Sequence, residues 1–330
     1  MPNLIAVSGA GRVYATDCEA ARVYLVEPGR LTVIAGSGPG GFVAGFVGDG
    51  GPATAAQLQC PYGLAFDAAG RLLVADHGNQ RIRMIDKTGV IATVAGSGPY
   101  GDATGGFGGD RGAATSALLN EPTWVAVGAD GRLFISDRDN NRVRVVSTRG
   151  AISTLAGTGA AGFSGDGGPA VKAMLDGPAG LAVDAAGDLY VADSNNRRVR
   201  IIRPDGVIET IAGTGAAGST GDGGPADIAT LGDPEGLALD GTGNLFVGDD
   251  DTAGNRVRRI GRDGIISAFA GTGKQGHTGE GGPATAATLR TIGSPVGLAV
   301  DPLGRLYIAD AGNHSIRVVS TEGIIGTLGP

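Results

Sequence analysis

Histidine, cysteine and tryptophan are scarce in this chain: three, two and one respectively in 330 residues. Two cysteines, Cys18 and Cys60, exclude the disulfide framework on which small secreted domains depend, and we expect two separate thiols. Charged residues make up only 18% against 42% hydrophobic, which excludes an intrinsically disordered chain and leaves ample material for a core. Basic residues are the minority, 26 Lys and Arg against 33 Asp and Glu. The resulting net charge of −7 and pI near 5 argue against nucleic acid, which requires a basic face to neutralise phosphates. No apolar run approaches the roughly 18 residues of a membrane helix, so no membrane partner is expected. The opening Met1-Pro2-Asn3-Leu4-Ile5 lacks the basic and apolar regions of a signal peptide. As written, the chain reads as soluble and cytoplasmic, or as a domain excised from a longer exported one.

Glycine is abundant, with 63 residues, and it is periodic. The proline of a Pro-x-Gly-Leu-Ala phrase recurs at Pro2, Pro61, Pro122, Pro178, Pro234 and Pro295, at intervals of 59, 61, 56, 56 and 61 by subtraction. A period of this size is that of a propeller blade carrying one long loop. Within each copy four short apolar runs alternate with turn signals, as in Gly63-Leu64-Ala65-Phe66, Arg71-Leu72-Leu73-Val74, Arg81-Ile82-Arg83-Met84-Ile85 and Val90-Ile91-Ala92-Thr93-Val94. Four strands per copy, a to d, make one antiparallel blade. The expected fold is therefore an all-β six-bladed propeller forming a single domain. Its blades span approximately 1–59, 60–120, 121–176, 177–232, 233–293 and 294–330, and strand a of blade 1 and strand d of blade 6 keep to their own blades.

Phrases such as Gly180-Leu181-Ala182-Val183-Asp184, Leu189-Tyr190-Val191-Ala192-Asp193 and Arg198-Val199-Arg200 resemble the NHL repeat, and the resemblance covers nearly the whole chain. It implies the same six-bladed propeller. It leaves function open, because the family includes protein-binding scaffolds, RNA binders, sensor domains of kinases and lyases. Amidating lyases with this fold hold zinc with histidines around the channel. Here His277 and His314 lie in a glycine-rich loop and a common form of the repeat, so no channel triad is available.

Several motifs belong to the scaffold. Gly-x-Gly-x-x-Gly matches begin at Gly36, Gly96, Gly157, Gly213 and Gly271, but each follows an outer strand rather than opening a βαβ unit, which excludes a dinucleotide site. The Gly-Asp-Gly-Gly-Pro-Ala loops at 48–53, 165–170 and 221–226, with Gly279-Glu280-Gly281-Gly282, lack calcium-loop spacing and are expected to brace the loops by hydrogen bonds. An aspartate closes strand b in every copy, at Asp17, Asp76, Asp137, Asp193, Asp249 and Asp310. Arg81, Arg142, Arg198 and Arg256, each two residues before a second arginine, are its expected charge partners.

Function should sit where the copies disagree. In a propeller, strand a lines the central channel, and the d-to-a and b-to-c loops share one face, where ligands bind. The residue after the repeated proline is Asn3, Tyr62, Thr123, Ala179, Glu235 and Val296 in turn; the residue after the repeated aspartate is Cys18, His77, Arg138, Ser194, Asp250 and Ala311. Blade 3 adds Glu121 before its proline and Trp124 in place of glycine; blade 5 adds Asp233, and Asp251 after Asp250. An acidic wall in blade 5 thus opposes Tyr62 and His77 in blade 2. Glu235 and Asp250 are candidate carboxylate bases or cation anchors, with Tyr62 and His77 as proton donors or acceptors. Asn3, Thr123, Trp124, Arg138, Glu121 and Asp233 are candidate substrate contacts, Trp124 serving either as a stacking platform or as a channel plug. The expected activity is acid/base chemistry of the lyase, hydrolase or cyclase type on a small molecule, by a monomer. No organic cofactor is implied, and a divalent cation such as calcium at the acidic mouth stays open. The alternative is a non-catalytic recognition or sensor module for a protein or peptide.

Overall fold

A computed structural model describes residues 2–38, 47–98, 105–250, 255–291 and 296–328. Its strands form six sheets, each built on four sequential antiparallel strands, and the two-residue strand Gly168–Pro169 adds a fifth to the sheet of blade 4. In blade 2 these are Pro61–Phe66, Leu72–Asp76, Arg81–Ile85 and Ile91–Ala95. Strand a of every blade touches strand a of the next, and that of blade 6 (Leu298–Val300) touches that of blade 1 (Ile5–Val7), so the ring is closed. Ile5–Val7 pairs with Val13–Asp17 of its own blade, and Ile325–Leu328 with Ser315–Val319 of blade 6. Among the described residues the terminal blades exchange no strand.

Alternation of side chains along each strand sends one face of a blade into the neighbouring blade. The result is six apolar clusters, one at each blade-to-blade interface. In five of them the long d-to-a loop inserts an Ala-x-x-Ala-x-Leu wedge, such as Ala170, Ala173 and Leu175, each under 2% exposed. The wedge begins as a single 3-10 turn (Ala170–Lys172). The residues just before it bridge to strand d of the following blade, as Gly168–Pro169 does with Val207–Ala212. Only small side chains fit between two sheets at this distance, which accounts for the alanines.

The aspartate at the end of strand b has the structural role expected of it, but its partner is a different arginine. Asp76, Asp137, Asp193 and Asp249 are fully buried and face Arg83, Arg144, Arg200 and Arg258, the second arginine of each pair, at 3.1–3.3 Å. The first arginine instead donates to backbone carbonyls: Arg142 to Asn140 and Thr158, Arg198 to Asn196 and Thr214. The first arginine stands directly opposite the aspartate in the b–c ladder and the second two residues further on, on the same face of the sheet, where the loop acid also reaches it. The acid of each glycine-rich loop then closes the other side of the buried guanidinium: Asp49 on Arg83, Asp110 on Arg144, Asp166 on Arg200 and Asp222 on Arg258, at 2.6–2.8 Å. A buried cation between two carboxylates, with Asn196 and a loop carbonyl completing the set around Arg200, is the arrangement in which burial of charge is tolerable.

Cys18 and Cys60 are joined as a disulfide, with Cα atoms 3.8 Å apart. This corrects the expectation of two separate thiols. Cys18 follows strand b of blade 1 and Cys60 ends the d-to-a loop into blade 2, so both lie on the mouth face.

Candidate active site at the channel mouth

Strands a approach one another so closely at the axis that the repeated glycine has a steric reason. A Cβ on Gly180 would collide with the carbonyl of Glu235, and one on Gly236 with that of Val296. Two blades break the pattern. Trp124 in blade 3 is 6% exposed and belongs to the same apolar cluster as Leu4, its counterpart in blade 1, with Tyr62 packed against them. Trp124 therefore plugs the channel beneath the mouth and is not an open stacking platform. Sequence reasoning passed over Leu4, although the phrase Pro2-Asn3-Leu4 shows the same missing glycine.

Above this plug the structure brings together residues of blades 2, 3 and 5. Tyr62 and His77 meet edge to face, with ring centroids 4.6 Å apart. The His77 Nε2 lies 3.8 Å from the Glu121 carboxylate, and its Nδ1 is buried without a partner. Burial, reinforced by the Arg138 guanidinium, holds the His77 pKa down at about 4, so the ring is neutral at pH 7. Burial and then the Glu235 charge raise the Tyr62 phenol above its usual value, against the pull of Arg138. Both groups keep the uncharged form, Tyr62 as a hydroxyl donor.

Glu235 is the group poised for proton transfer. Burial, then the charge of Asp250, push its pKa up to about 7, while Arg138 opposes the rise. Its Oε2 is closed to solvent and has no hydrogen-bond partner. Asp250 accepts from the Thr291 hydroxyl at 3.3 Å. Glu121 also has a raised pKa, from burial and then Asp139. The acidic wall, the Tyr62–His77 pair and the Arg138 cation are therefore electrostatically one site.

The remaining candidates are placed differently. The Asn3 carboxamide accepts the Cys18 backbone N–H at 2.9 Å, and the residue is buried. Thr123 is also buried, with its hydroxyl unpartnered. Asp233 is exposed and faces Arg197 at 3.6 Å on the rim. Among the described residues no three histidine, cysteine or carboxylate side chains converge on a point that could hold a metal ion. Asp251, which with Thr252, Ala253 and Gly254 makes the loop of blade 5 longer than its counterparts, lies outside the described residues, as does Pro295.

Residues 29–105 and 159–220 match the teneurin NHL domain, and residues 119–146 and 293–319 match the NHL repeat. The chain is an NHL-repeat β-propeller. Teneurin-3 of Danio rerio is 32% identical over 301 residues, covering 78% of this NHL propeller and 10% of the fish protein. The protein SUPPRESSOR OF QUENCHING 1, chloroplastic, of Arabidopsis thaliana is 36% identical over 132 residues, covering 39% and 12%. The NHL propeller thus spans about a tenth of the length of these relatives. Among solved structures, a streptogramin B lyase superposes with a TM-score of 0.56 at 15% identity, covering 100% of this chain and 83% of its own. A gluconolactonase from Xanthomonas campestris gives 0.56 at 19%, covering 93% and 82%. At these identities the likeness is one of fold.

Proposed function

We propose that this NHL propeller binds a small molecule at the channel mouth and acts on it by acid/base chemistry, in a reaction of the lyase, hydrolase or cyclase type. The observation that carries the reading is Glu235, a carboxyl with a pKa of about 7 and an unpartnered, solvent-shielded oxygen within the field of the Arg138 guanidinium. A general acid or base works best when its pKa lies near the operating pH. Clustered groups with pKa values pushed apart, here Glu235 against His77, are what functional sites accumulate. Glu235 would move the proton, Tyr62 would donate a hydrogen bond and Arg138 would hold an anionic or carbonyl oxygen of the substrate. A lyase and a gluconolactonase are among the solved structures that share the fold and are named as enzymes, which is consistent with this use of the mouth.

The teneurin relationship favours a second reading, a non-catalytic module inside a larger protein. The Cys18–Cys60 bridge suits an oxidising compartment, in line with the alternative of an exported domain. A panel of lactones, activated esters and cyclic depsipeptides, assayed with wild type and Glu235→Gln, separates the two. Turnover that falls about 10²–10⁴-fold in the variant, with ligand affinity little changed, supports the enzyme. Absence of turnover and of mouth binding across the panel supports the module.

A further inference from the structure

On the face opposite the mouth a cleft of about 850 Å³ opens between blades 4 and 5. Small-molecule sites measure roughly 300–1,000 Å³. The a-to-b and c-to-d turns of both blades wall it. Its floor is the outer end of the apolar cluster between the two blades, where Val183, Tyr190, Ile211 and Leu239 stay half-buried. At three other interfaces the ring equivalent to Tyr190 is sealed. Phe134, Phe246 and Tyr307 are 2–4% exposed, and the Tyr307 phenol donates to Asp301 at 3.3 Å. The Tyr190 hydroxyl has no hydrogen-bond partner among the described residues.

The carboxylates of the cleft are already engaged. Asp184 accepts the backbone N–H groups of Ala186 and Asp188 at 2.9 Å. Asp188 accepts from Arg203 at 2.8 Å. Asp240 accepts from the Thr242 hydroxyl at 2.8 Å and the Asn244 carboxamide at 2.7 Å. Arg262 alone among the charged lining residues has no partner among the described residues. The cause lies at the head of strand b. In blade 4 that place holds Asp188, so the arginine of the c-to-d turn finds an anion, whereas in blade 5 it holds the uncharged Asn244. The Arg262 stem rests on Gly243, where an added Cβ would stand 3.0 Å from its Cδ. Burial raises the Tyr190 pKa, Asp184 and Asp188 add to the rise, and Arg203 and Arg262 oppose it. The free guanidinium and the free phenol therefore belong to one cleft.

We propose that this cleft is a second ligand site, for a small molecule with an apolar body and one carboxylate. Arg262 takes the carboxylate, because its planar fork can donate to both oxygens, and the Tyr190 hydroxyl donates beside it. The apolar body covers Ile211, Leu239 and Val183, removing their exposed surface from water. The lining holds three carboxylates against two guanidiniums, which disfavours a dianion and sets the single charge of the ligand at the blade 5 wall. The site shares no residue with the Glu235 mouth and is independent of the activity proposed there.

The test titrates naphthylacetate into the full 330-residue chain and follows the heat of binding. Naphthylacetamide and naphthylmethylammonium serve as uncharged and cationic probes of similar shape. Saturable binding of one acetate per chain is expected, with both other probes at least about tenfold weaker. Arg262→Gln should weaken the acetate at least about tenfold and leave the amide unchanged, and Tyr190→Phe should weaken the acetate several-fold. Arg262 is exposed, so its replacement spares the core, and circular dichroism checks the fold of each variant. No saturable binding of the acetate to the wild-type chain would overturn the inference. So would equal affinities for acetate and amide, a preference for the ammonium, or an acetate affinity unchanged by Arg262→Gln. Binding kept in Arg262→Gln but lost in Glu235→Gln would place the acid at the mouth and likewise overturn it.

Discussion

The raised pKa of Glu235 makes a thermodynamic prediction that needs no substrate. A carboxyl with an ordinary value of 4.5 and a folded value of about 7 prefers its protonated form in the folded state. Below pH 4.5 both states hold the proton, and the group imposes no penalty. As the pH rises from 4.5 towards 7 the unfolded chain releases its proton first, so the contribution to stability is lost across that window and is absent above it. The gap corresponds to about 3 kcal/mol at 1.36 kcal/mol per pH unit. Glu235→Gln keeps the shape and removes the titration. The variant should match wild type near pH 4.5 and exceed it by up to about 3 kcal/mol at pH 8. For a chain of this length, at about 2.1 cal/mol/K per residue, that is about 4 °C in Tm. The quantity to measure is the difference between variant and wild type in urea unfolding at pH 4.5, 6 and 8. Taking the difference matters because Asp193, which burial pushes up to about 6, titrates in the same range in both proteins. A difference that is flat with pH would refute the assignment of a raised pKa, and with it the reason for choosing Glu235 as the proton-transfer group. A gain in stability on removing the charge, paired with a loss of turnover, is the trade-off expected of an active-site residue.

Other outcomes follow from the scaffold. Reducing Cys18–Cys60, which closes a loop with a sequence separation of 42, should lower unfolding stability by about 4 kcal/mol on the chain-entropy estimate; an unchanged urea midpoint with reductant would contradict the bridge. Arg200→Ala leaves Asp193 and Asp166 facing each other without their cation and should cost about 3–5 kcal/mol, whereas alanine at exposed Arg132 should change stability by no more than about 1 kcal/mol. Gly236→Ala places a methyl group against the Val296 carbonyl and should destabilise by more than the few tenths of a kcal/mol usual for a tolerated surface change; equal thermal midpoints would show that the strands at the axis are less tightly apposed.

Repetition made the fold legible. The spacing of Pro61, Pro122, Pro178 and Pro234, and the period-2 alternation between turn signals, depend only on local geometry, so six blades of four strands could be read directly from the chain. The candidate site was partly legible for the same reason. Subtracting the repeat isolated Tyr62, His77, Arg138, Glu235 and Asp250, because a closed ring must carry equivalent positions to one mouth. What stayed hidden depends on side-chain direction and on contacts between distant blades. The choice of Arg200 over Arg198 as partner of Asp193 goes with the glycine-rich loop, which sets Asp166 on the other side of the same guanidinium. The commitment of Asn3 to the Cys18 backbone and the burial of Trp124 with Leu4 follow from how near strands a stand at the axis. The Cys18–Cys60 bridge joins neighbouring blades across 42 positions of sequence. The neutral ring of His77 and the near-neutral pKa of Glu235 come from burial and from charges on other blades. Residue types at equivalent positions are a property of the sequence, but desolvation and distance between blades exist only once the ring has closed.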